Sequence, residues 1–390
     1  MNGEGGSPGA EIVLPGITTG TPVWAVGTMS GTSMDGVDVA LVRTDGETIA
    51  EVGPALTLAY DDSFRARLFA VVKGEADAEV IAAVERQLTE RHWTAIGSLV
   101  RRWPGDPRAI KVIGFHGHTL WHRPAEHRTR QIGDGRLLAR LAAAPVVSDF
   151  RSSDMAAGGE GAPLASLYHL ARAAASGLER PLAVLNIGGV ANVTWIGTAA
   201  SDVPPRILAF DTGPGGALLD DWALAHTGRP CDVDGGLAAS GKVDSAVLAR
   251  LMAHPYFDRV PPKSLDRLAF DVSLSGLSAQ DGAATLTAFT AAAVARGTAF
   301  FPAPACRWLA TGGGRHNPVL LARIGEAVGA VIEPVEAAGW NGDAIEAEAF
   351  AYLAVRSLRA LPLSLPETTG ARTAVTGGRL HMPTGVGRRS

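Results

Sequence analysis

The chain has little cysteine and no long hydrophobic run, and both shortages exclude whole classes of protein. Only Cys231 and Cys306 occur in 390 residues, too few for a disulfide framework, so a reducing compartment is expected. No run of about 18 apolar residues is present, and residues 1–20 lack both a basic start and an apolar centre. We therefore expect no signal peptide and no membrane anchor, a flexible tail over residues 1–20, and a cytoplasmic protein.

An excess of either charge is also missing. The chain has 35 basic and 39 acidic residues and a net charge of −4, so nothing indicates nucleic-acid binding. Hydrophobic residues, by contrast, make up 46% of the chain, which is enough for sizeable cores. The length of 390 residues favours two domains.

A polar turn near the N-terminus is the most informative segment. Apolar residues 23–26 and 37–42 predict two strands, and the turn between them, residues 27–35, is rich in Gly, Ser and Thr and ends at Asp35. Backbone amides and hydroxyls in such a turn form a nest for phosphate oxygens, and Asp35 could hold Mg²⁺ beside them. The alternative is an ordinary hairpin with a polar turn.

Predicted strands and helices alternate along the chain, which indicates an α/β protein. Helical spacing of apolar residues predicts a long helix over 78–103, and a second strand–glycine turn–strand pattern begins at residue 182. Because this pattern echoes the first hairpin, we predict two related halves with a boundary near residue 147. The absence of a low-complexity linker suggests that the halves share an interface and a cleft.

Four glycine-rich turns each follow a predicted strand, at residues 27–36, 188–189, 213–216 and 312–314. Ligands of α/β sheets bind at the carboxyl ends of strands, where glycine backbone can approach phosphates. None of the turns matches GxxxxGK[ST], and none matches GxGxxG with a later acidic residue. The turns therefore indicate a nucleotide site of another type.

Asp211 is the strongest candidate for chemistry. It follows the predicted strand 207–210 and directly precedes a glycine turn. A carboxylate in this position can act as a general base. It can equally cap the helix predicted after Pro214, and the local sequence does not separate these alternatives.

The motifs taken together resemble those of the 1,6-anhydro-N-acetylmuramic acid kinase family, bacterial cell-wall recycling enzymes of the sugar kinase, heat-shock chaperone and actin superfamily. The similar segments cover most of the chain. They are residues 29–38 (MSGTSMDGVD), 116–122 (HGHTLWH), 131–134 (QIGD), 149–151 (DFR), 158–164 (GGEGAPL), 186–192 (NIGGVAN), 210–215 (FDTGPG), 261–264 (PPKS), 312–318 (GGGRHNP) and 343–347 (DAIEA).

The resemblance implies a fold and an activity. The fold would be α/β with two RNase H-like domains and an interdomain cleft, as in actin-like ATPases. Domain I would contain residues 21–147 and about 345–380, and domain II residues 148–344. The activity would use ATP and Mg²⁺ to open the 1,6-anhydro ring of N-acetylmuramic acid and phosphorylate its 6-oxygen. A kinase of another anhydro sugar, such as levoglucosan, is the alternative. The enzyme would be a homodimer.

The resemblance also implies roles for individual residues. Asp211 would be the catalytic base, and Asp134, Arg151 and Glu346 would contact the sugar. The first phosphate loop would consist of Gly31, Thr32, Ser33, Met34, Asp35, Gly36, Val37 and Asp38. The second domain would add Gly188, Gly189, Gly213 and Gly215 to the phosphates, and Gly312, Gly313, Gly314 and Asn317 to the adenosine.

Two positions and one short segment depart from the family pattern. Gly216 stands where the family usually has Asn, and His118 stands where it usually has Gln. Residues 265–268 read Leu-Asp-Arg-Leu in place of the usual Thr-Gly-Arg-Glu. These changes bear on the choice of sugar rather than on nucleotide binding.

Overall fold

A computed structural model of the chain describes residues 20–383 except 32, 199–205, 267–269 and 271. The predicted tail lies outside the described residues up to position 19. Within the described part of the chain, no helix is both long and apolar enough to cross a membrane.

Strands and helices alternate, as the sequence predicts. The strands are β1 Val23–Ser30, β2 Gly36–Thr44, β3 Ile49–Ala59, β4 Ile110–Arg123, β5 Arg128–Ile132, β6 Val146–Ser148, β7 Leu182–Ile187, β8 Val190–Ile196, β9 Ile207–Pro214, β10 Arg307–Thr311, β11 Ile332–Pro334 and β12 Arg379–His381. The α-helices are α1 Asp62–Val72, α2 Ala78–Arg102, α3 Gly135–Ala142, α4 Ser152–Ala156, α5 Ser166–Ala175, α6 Ala217–Thr227, α7 Gly236–Ala239, α8 Ser245–Met252, α9 Ala279–Thr298, α10 Pro318–Val328, α11 Ile345–Leu358 and α12 Pro366–Thr369.

The chain forms two compact units. Unit 1 consists of Met1–Ala175, Glu346–Leu365 and Ala371–Ser390, and unit 2 of Ser176–Ile345 and Pro366–Gly370. In unit 1 the sheet order is β12-β6-β4-β1-β2-β3, and β5 pairs with β4. Strands β1 to β3 form an antiparallel meander, while β4 runs parallel to β1 and β6 parallel to β4. This is the RNase H-like arrangement.

Unit 2 repeats the same topology. Its sheet order is β11-β10-β7-β8-β9, with β7 to β9 as an antiparallel meander and β10 and β11 as parallel strands. The hairpins β1–β2 and β7–β8 occupy equivalent places in the two sheets. The predicted fold class, α/β with two related RNase H-like halves, is therefore confirmed.

Helix α11 packs on the sheet of unit 1 through two glycines. A Cβ atom on Gly27 of β1 would lie 1.8 Å from the carbonyl oxygen of Ala347, and one on Gly114 of β4 would lie 2.0 Å from that of Phe350. Only glycine permits this close approach. The helix thus lies directly over β4 and over β1, the strand that leads to the predicted phosphate turn.

Helix α2 supplies much of the core on unit 1. It begins after Asp77, whose side chain accepts the Val80 amide at 2.9 Å, and it ends at Arg102, within one residue of the predicted range. Its buried residues Val84, Leu88 and Leu99 recur at helical spacing and join the main cluster of unit 1. The periodicity of the sequence therefore predicted this helix correctly.

The boundary between the compact units differs from the one expected at 147/148. That boundary would cut through β6, whose residues 146–148 pair with β4 and β12. Beyond it, Asp154 accepts a hydrogen bond from the Ser364 hydroxyl, and Tyr168 donates to Glu348. Because all these partners belong to unit 1, that unit continues to Ala175.

Candidate functional site

The turn predicted to bind phosphate joins β1 to β2 in unit 1. The Met34 amide donates to the Gly31 carbonyl oxygen at 3.1 Å, and the Ser33 hydroxyl donates to Oδ1 of Asp35 at 2.8 Å. Met34 is buried and has a φ of 53°, an uncommon conformation for a residue other than glycine. Ser33 and Asp35 are exposed, so the turn presents a hydroxyl and a carboxylate to a ligand. Thr32 lies outside the described residues.

The remainder of the predicted loop belongs to strand β2. Gly36 and Val37 are buried, and the Val37 side chain is part of the core. Asp38 accepts a hydrogen bond at 2.6 Å from the hydroxyl of Thr57, its partner on the neighbouring strand β3. These three residues therefore anchor the turn, and only residues 31–35 form the turn itself.

A buried chain of hydrogen bonds fixes the end of β1. The Tyr60 hydroxyl donates to Oγ of Ser30 at 2.8 Å, and Ser30 Oγ lies 3.0 Å from Nδ1 of His118 on β4. Burial lowers the pKa of His118 to about 4, so the ring is neutral at physiological pH. His118 therefore supports the strand that leads to the turn.

A pocket of about 580 Å³ lies in unit 1 beside the end of β6 and the start of α3. It is lined by Glu85, Phe115, His116, Thr129, Arg130, Gln131, Ile132, Gly133, Asp134, Gly135, Arg136, Ser148, Asp149, Ser152, Arg379 and His381. Below we call it the unit 1 pocket. The predicted sugar contact Asp134 is among its lining residues.

The unit 1 pocket is lined by three carboxylates and three exposed arginines. Its carboxylates on Glu85, Asp134 and Asp149 each accept a backbone amide, at 2.9, 2.9 and 3.3 Å. By contrast, three of its guanidinium groups have no hydrogen bond or ion pair within the described residues: those of Arg130, Arg136 and Arg379. Such an arrangement suits a ligand that carries a carboxylate or another anion.

Arg151 is oriented by a neutral histidine. Its Nε and Nη2 lie 3.3 and 3.2 Å from Nε2 of His116, and its Nη1 donates to the Gly161 carbonyl oxygen at 2.6 Å. Because a guanidinium only donates, Nε2 of His116 accepts and the ring proton lies on Nδ1, 3.3 Å from the Gly117 carbonyl oxygen. Burial, and then the Arg151 charge, hold the pKa of His116 well below its usual value.

The three predicted sugar contacts thus have different surroundings. Asp134 lines the unit 1 pocket, but its Oδ1 also caps α3 by accepting the amides of Arg136 and Leu137, both at 2.9 Å. Arg151 contacts His116, another lining residue. Glu346 is half-buried in the first turn of α11 and is not part of the pocket lining.

In unit 2, Asp211 lies inside β9 rather than at its end. The sequence predicts a strand that stops at Phe210, but β9 continues to Pro214 because Asp211, Gly213 and Pro214 pair with β8 on either side of a bulge at Thr212. The carboxylate is buried, and its Oδ2 accepts the Leu265 amide at 2.8 Å. The alternative role as a helix cap is wrong, since Gly216 is the N-cap of α6 and makes no side-chain cap bond.

Two glycine turns of unit 2 are joined by backbone hydrogen bonds. The Gly215 amide donates to the Gly189 carbonyl oxygen at 2.9 Å, and the Gly216 amide donates to that of Gly188 at 2.7 Å. A Cβ atom on Gly215 would lie 2.2 Å from the Gly188 carbonyl oxygen. Gly213, within β9, packs against Ala293 of α9. The turns therefore form one rigid backbone surface just beyond Asp211.

The loop predicted to bind adenosine runs from β10 to α10. Gly313–His316 form a single 3₁₀ turn, and Asn317 caps α10 by accepting the Leu320 amide at 2.9 Å. A Cβ atom on Gly313 would meet nothing within 4 Å, whereas one on Gly314 would lie 2.3 Å from Cγ2 of Ile187. The loop is therefore open at Gly313 and packed on β7 at Gly314.

The loop is held by Arg315, a residue that no pattern in the sequence marks for a role. Arg315 is buried and donates to Glu336 Oε1 at 2.9 Å, to Asp343 Oδ1 at 2.7 Å and to the Gly312 carbonyl oxygen at 3.1 Å. Its place between three glycines and a histidine gives no sign of burial. The burial of Lys263 and Tyr256 was not predicted either, because neither residue belongs to a periodic pattern. Both form hydrogen bonds with the backbone of Asp211.

The residues present fit Mg·ATP. Mg²⁺ is usually bound through one or two carboxylates, with phosphates and water completing its shell, so an isolated exposed carboxylate such as Asp35 is sufficient. Within the described residues no group of three or more His, Cys, Asp or Glu could hold a metal alone. At Gly313 the backbone has open space on the side where a Cβ atom would stand, so a ligand can approach it closely.

Paired RNase H-like units with glycine turns are the architecture of the sugar kinase, chaperone and actin superfamily. The family model of anhydro-N-acetylmuramic acid kinase matches residues 23–383. The anhydro-N-acetylmuramic acid kinase of Paramagnetospirillum magneticum is 57% identical over 364 residues, which covers 92% of this chain and 99% of the relative. That of Rhodospirillum rubrum is 55% identical over 360 residues, covering 91% and 93%. The chain belongs to the anhydro-N-acetylmuramic acid kinase family.

Similarity to solved structures is much lower. The activator of the 2-hydroxyisocaproyl-CoA dehydratase from Clostridium difficile, with bound ADPNP, aligns with a TM-score of 0.44 at 12% identity. The alignment covers 86% of this chain and 95% of the activator. At this level the likeness supports no conclusion about activity.

Proposed function

We propose that the chain is an ATP-dependent kinase that opens the 1,6-anhydro ring of N-acetylmuramic acid and phosphorylates its 6-oxygen. The observation that carries the proposal is the position of Asp211. Its buried carboxylate is fixed by the Leu265 amide, and the joined glycine turns follow it directly in unit 2. A general base thus precedes a backbone surface suited to phosphates.

Asp211 acts on a water molecule. The carboxylate takes a proton as the water oxygen adds to the anomeric carbon, and the bond between that carbon and the 6-oxygen breaks. The freed 6-oxygen then bonds to the γ-phosphorus of ATP, and ADP leaves. The products are N-acetylmuramic acid 6-phosphate, ADP and the proton first held by Asp211.

The nucleotide is held by backbone more than by side chains. We assign the phosphates to residues 31–35 and to the turns at Gly188–Gly189 and Gly215, and the adenosine to the loop at Gly313. Mg²⁺, held in part by Asp35, supplies charge stabilisation to the transferring phosphoryl group when bound. The role of Asn317 is then to begin α10 at the end of the adenosine loop.

The sugar is held by unit 1 residues in this proposal. Arg151, oriented by His116, and Asp134 contact the sugar, and Glu346 contributes from α11. Muramic acid carries a carboxylate, and the unpaired guanidinium groups of the unit 1 pocket provide the charge that recognises it. A neutral anhydro sugar would offer these groups no carboxylate to bind.

Isotope labelling and a substrate panel test the function. In ¹⁸O-water, label should enter the anomeric hydroxyl of the 6-phosphate product and not its phosphate. Label in the phosphate would mean simple hydrolysis of ATP. Faster turnover of levoglucosan than of the anhydromuramic acid would replace the proposed substrate by the alternative.

The homodimer and the cytoplasmic location expected from the sequence stay predictions. Light scattering at micromolar protein tests the first: only a 40.3 kDa species would contradict a dimer.

A further inference from the structure

A lysine buried next to the backbone of Asp211 has no role in the reaction proposed above. Lys263 is 2% exposed, although lysine is among the residues least often buried. Its Nζ donates to the Tyr256 carbonyl oxygen at 3.0 Å. The same ammonium lies 4.5 Å from the ring centre of Tyr256 and 5.1 Å from that of Phe300. Cation–π contact and one hydrogen bond thus replace the water that burial removes.

The lysine and its aromatic partner both bond to the backbone of Asp211. The Asp211 amide donates to the Lys263 carbonyl oxygen at 2.9 Å, and the Tyr256 hydroxyl donates to the Asp211 carbonyl oxygen at 2.5 Å. Two residues further along, the Leu265 amide donates to the Asp211 carboxylate at 2.8 Å. The backbone amide and the carboxylate of Asp211 are therefore held by residues 263–265, and its carbonyl oxygen is held by Tyr256.

The ammonium group connects these contacts. Tyr256 lies in the 3₁₀ helix Pro255–Asp258, while Lys263 lies in an irregular segment beyond Pro261 and Pro262. The bond from Lys263 Nζ to the Tyr256 carbonyl oxygen ties the two segments together. The same link therefore joins the segment that carries the Leu265 amide to the helix that carries the Tyr256 hydroxyl.

We propose that Lys263 is a positioning residue for Asp211, and that its buried ammonium holds Tyr256 and the segment 263–265 in the arrangement that aims the carboxylate. The proposal rests on the assignment of Asp211 as the general base. It assigns no contact with substrate to Lys263. A shift of about 1 Å in a catalytic group costs up to roughly 10²-fold in rate, so a loosened arrangement lowers kcat without weakening ground-state binding.

The charged neighbours of Lys263 determine how its influence varies with pH. Burial, and then the positive charge of Arg259, lower the pKa of Lys263 to about 8, and Arg296 of α9 acts in the same direction. Asp258 opposes them, but it also pairs with Arg296 at 3.0 Å. Because the ammonium is charged below its pKa, its cation–π contacts are complete below about pH 8 and are lost above it.

The test compares Lys263→Met with Lys242→Met, a matched change at an exposed lysine of the same unit. We expect kcat of Lys263→Met to fall by about 10- to 100-fold, with the KM for ATP and for the sugar nearly unchanged. The wild-type kcat should decline with an apparent pKa near 8, and this alkaline decline should be missing in Lys263→Met. Lys242→Met should match the wild type in all three quantities.

The proposal would be overturned if Lys263→Met had the same kcat as the wild type, or if its kcat still declined with an apparent pKa near 8. Tyr256→Phe keeps the test decisive if the lysine variant does not fold, since it removes only the hydroxyl bonded to Asp211. We expect a lower kcat with unchanged KM values there as well, and an unchanged kcat would count against the positioning role. If the wild-type enzyme turned over no anhydro sugar at all, the proposed function itself would have failed.

Discussion

Replacing Asp211 by Asn should remove the general base and leave the bonds around it in place. The carboxylate accepts the Leu265 amide at 2.8 Å, and the oxygen of an asparagine side chain can accept the same bond. The hydrogen bonds to Lys263 and Tyr256 involve only the backbone of Asp211. We therefore expect Asp211→Asn to fold and to bind nucleotide as the wild type does.

The size of the effect follows from the role of the carboxylate. General acid–base catalysis contributes about 10²- to 10⁴-fold to a rate. At 1.36 kcal/mol for each factor of ten, this corresponds to about 3–5 kcal/mol of activation free energy. The loss should appear in kcat, since the proton leaves the water only as the reaction proceeds, and the KM for ATP should change little.

A coupled assay of ADP release, with the anhydro sugar as acceptor, measures this loss. Calorimetry with a non-hydrolysable ATP analogue measures nucleotide binding separately. Asp221→Asn, an exposed carboxylate on α6, is the matched control and should keep the wild-type rate. Turnover by Asp211→Asn within a few-fold of the wild type would refute the base assignment.

Three further outcomes are expected. Arg379→Ala should raise the KM for the anhydromuramic acid about tenfold and leave the KM for its methyl ester unchanged; equal effects on both would contradict carboxylate recognition. Gly215→Ala should weaken binding of the ATP analogue, because its Cβ would lie 2.2 Å from the Gly188 carbonyl oxygen; unchanged calorimetry would contradict a rigid phosphate surface. Burial lowers the pKa of His92 from 6.5 to about 3, so the folded state holds it neutral while the unfolded state binds a proton below pH 6.5. The free energy of unfolding should therefore fall from pH 6.5 toward pH 3, and His92→Gln should flatten this slope in thermal melts.

The sequence predicted the fold because each half carries its own repeated pattern. Apolar residues at helical spacing indicated α2 to within one residue, and the strand–glycine–strand pattern identified the equivalent hairpins. The end of β9 was missed because Asp211, Thr212 and Gly213 read as a turn locally, whereas pairing with β8 keeps them extended. Tertiary pairing overrode the local preference.

The candidate site was predictable only where glycines or a resemblance marked it. Arg315 and Lys263 are charged residues in polar surroundings of the sequence, and their burial depends on partners far along the chain, such as Asp343 for Arg315 and Phe300 for Lys263. Asp134 illustrates the reverse: a residue predicted to contact sugar also begins a helix. Side-chain partners at such separations leave no periodic signal in a single sequence.

The return of α11 to unit 1 has a consequence for synthesis on the ribosome. Strand β1 is made early, yet the helix that covers it, and strand β12 at the sheet edge, are made only after all of residues 176–345. Arg356 and Arg359 link the C-terminal part of unit 1 to its N-terminal part, because they donate to the carbonyl oxygens of Gly46 and Thr21, more than 300 residues earlier. Unit 2 can therefore complete its sheet while the nascent unit 1 still lacks a layer. We therefore expect the sheet of unit 2 to be complete before unit 1 gains its covering helix, and in that interval the N-terminal strands would expose apolar surface to chaperones.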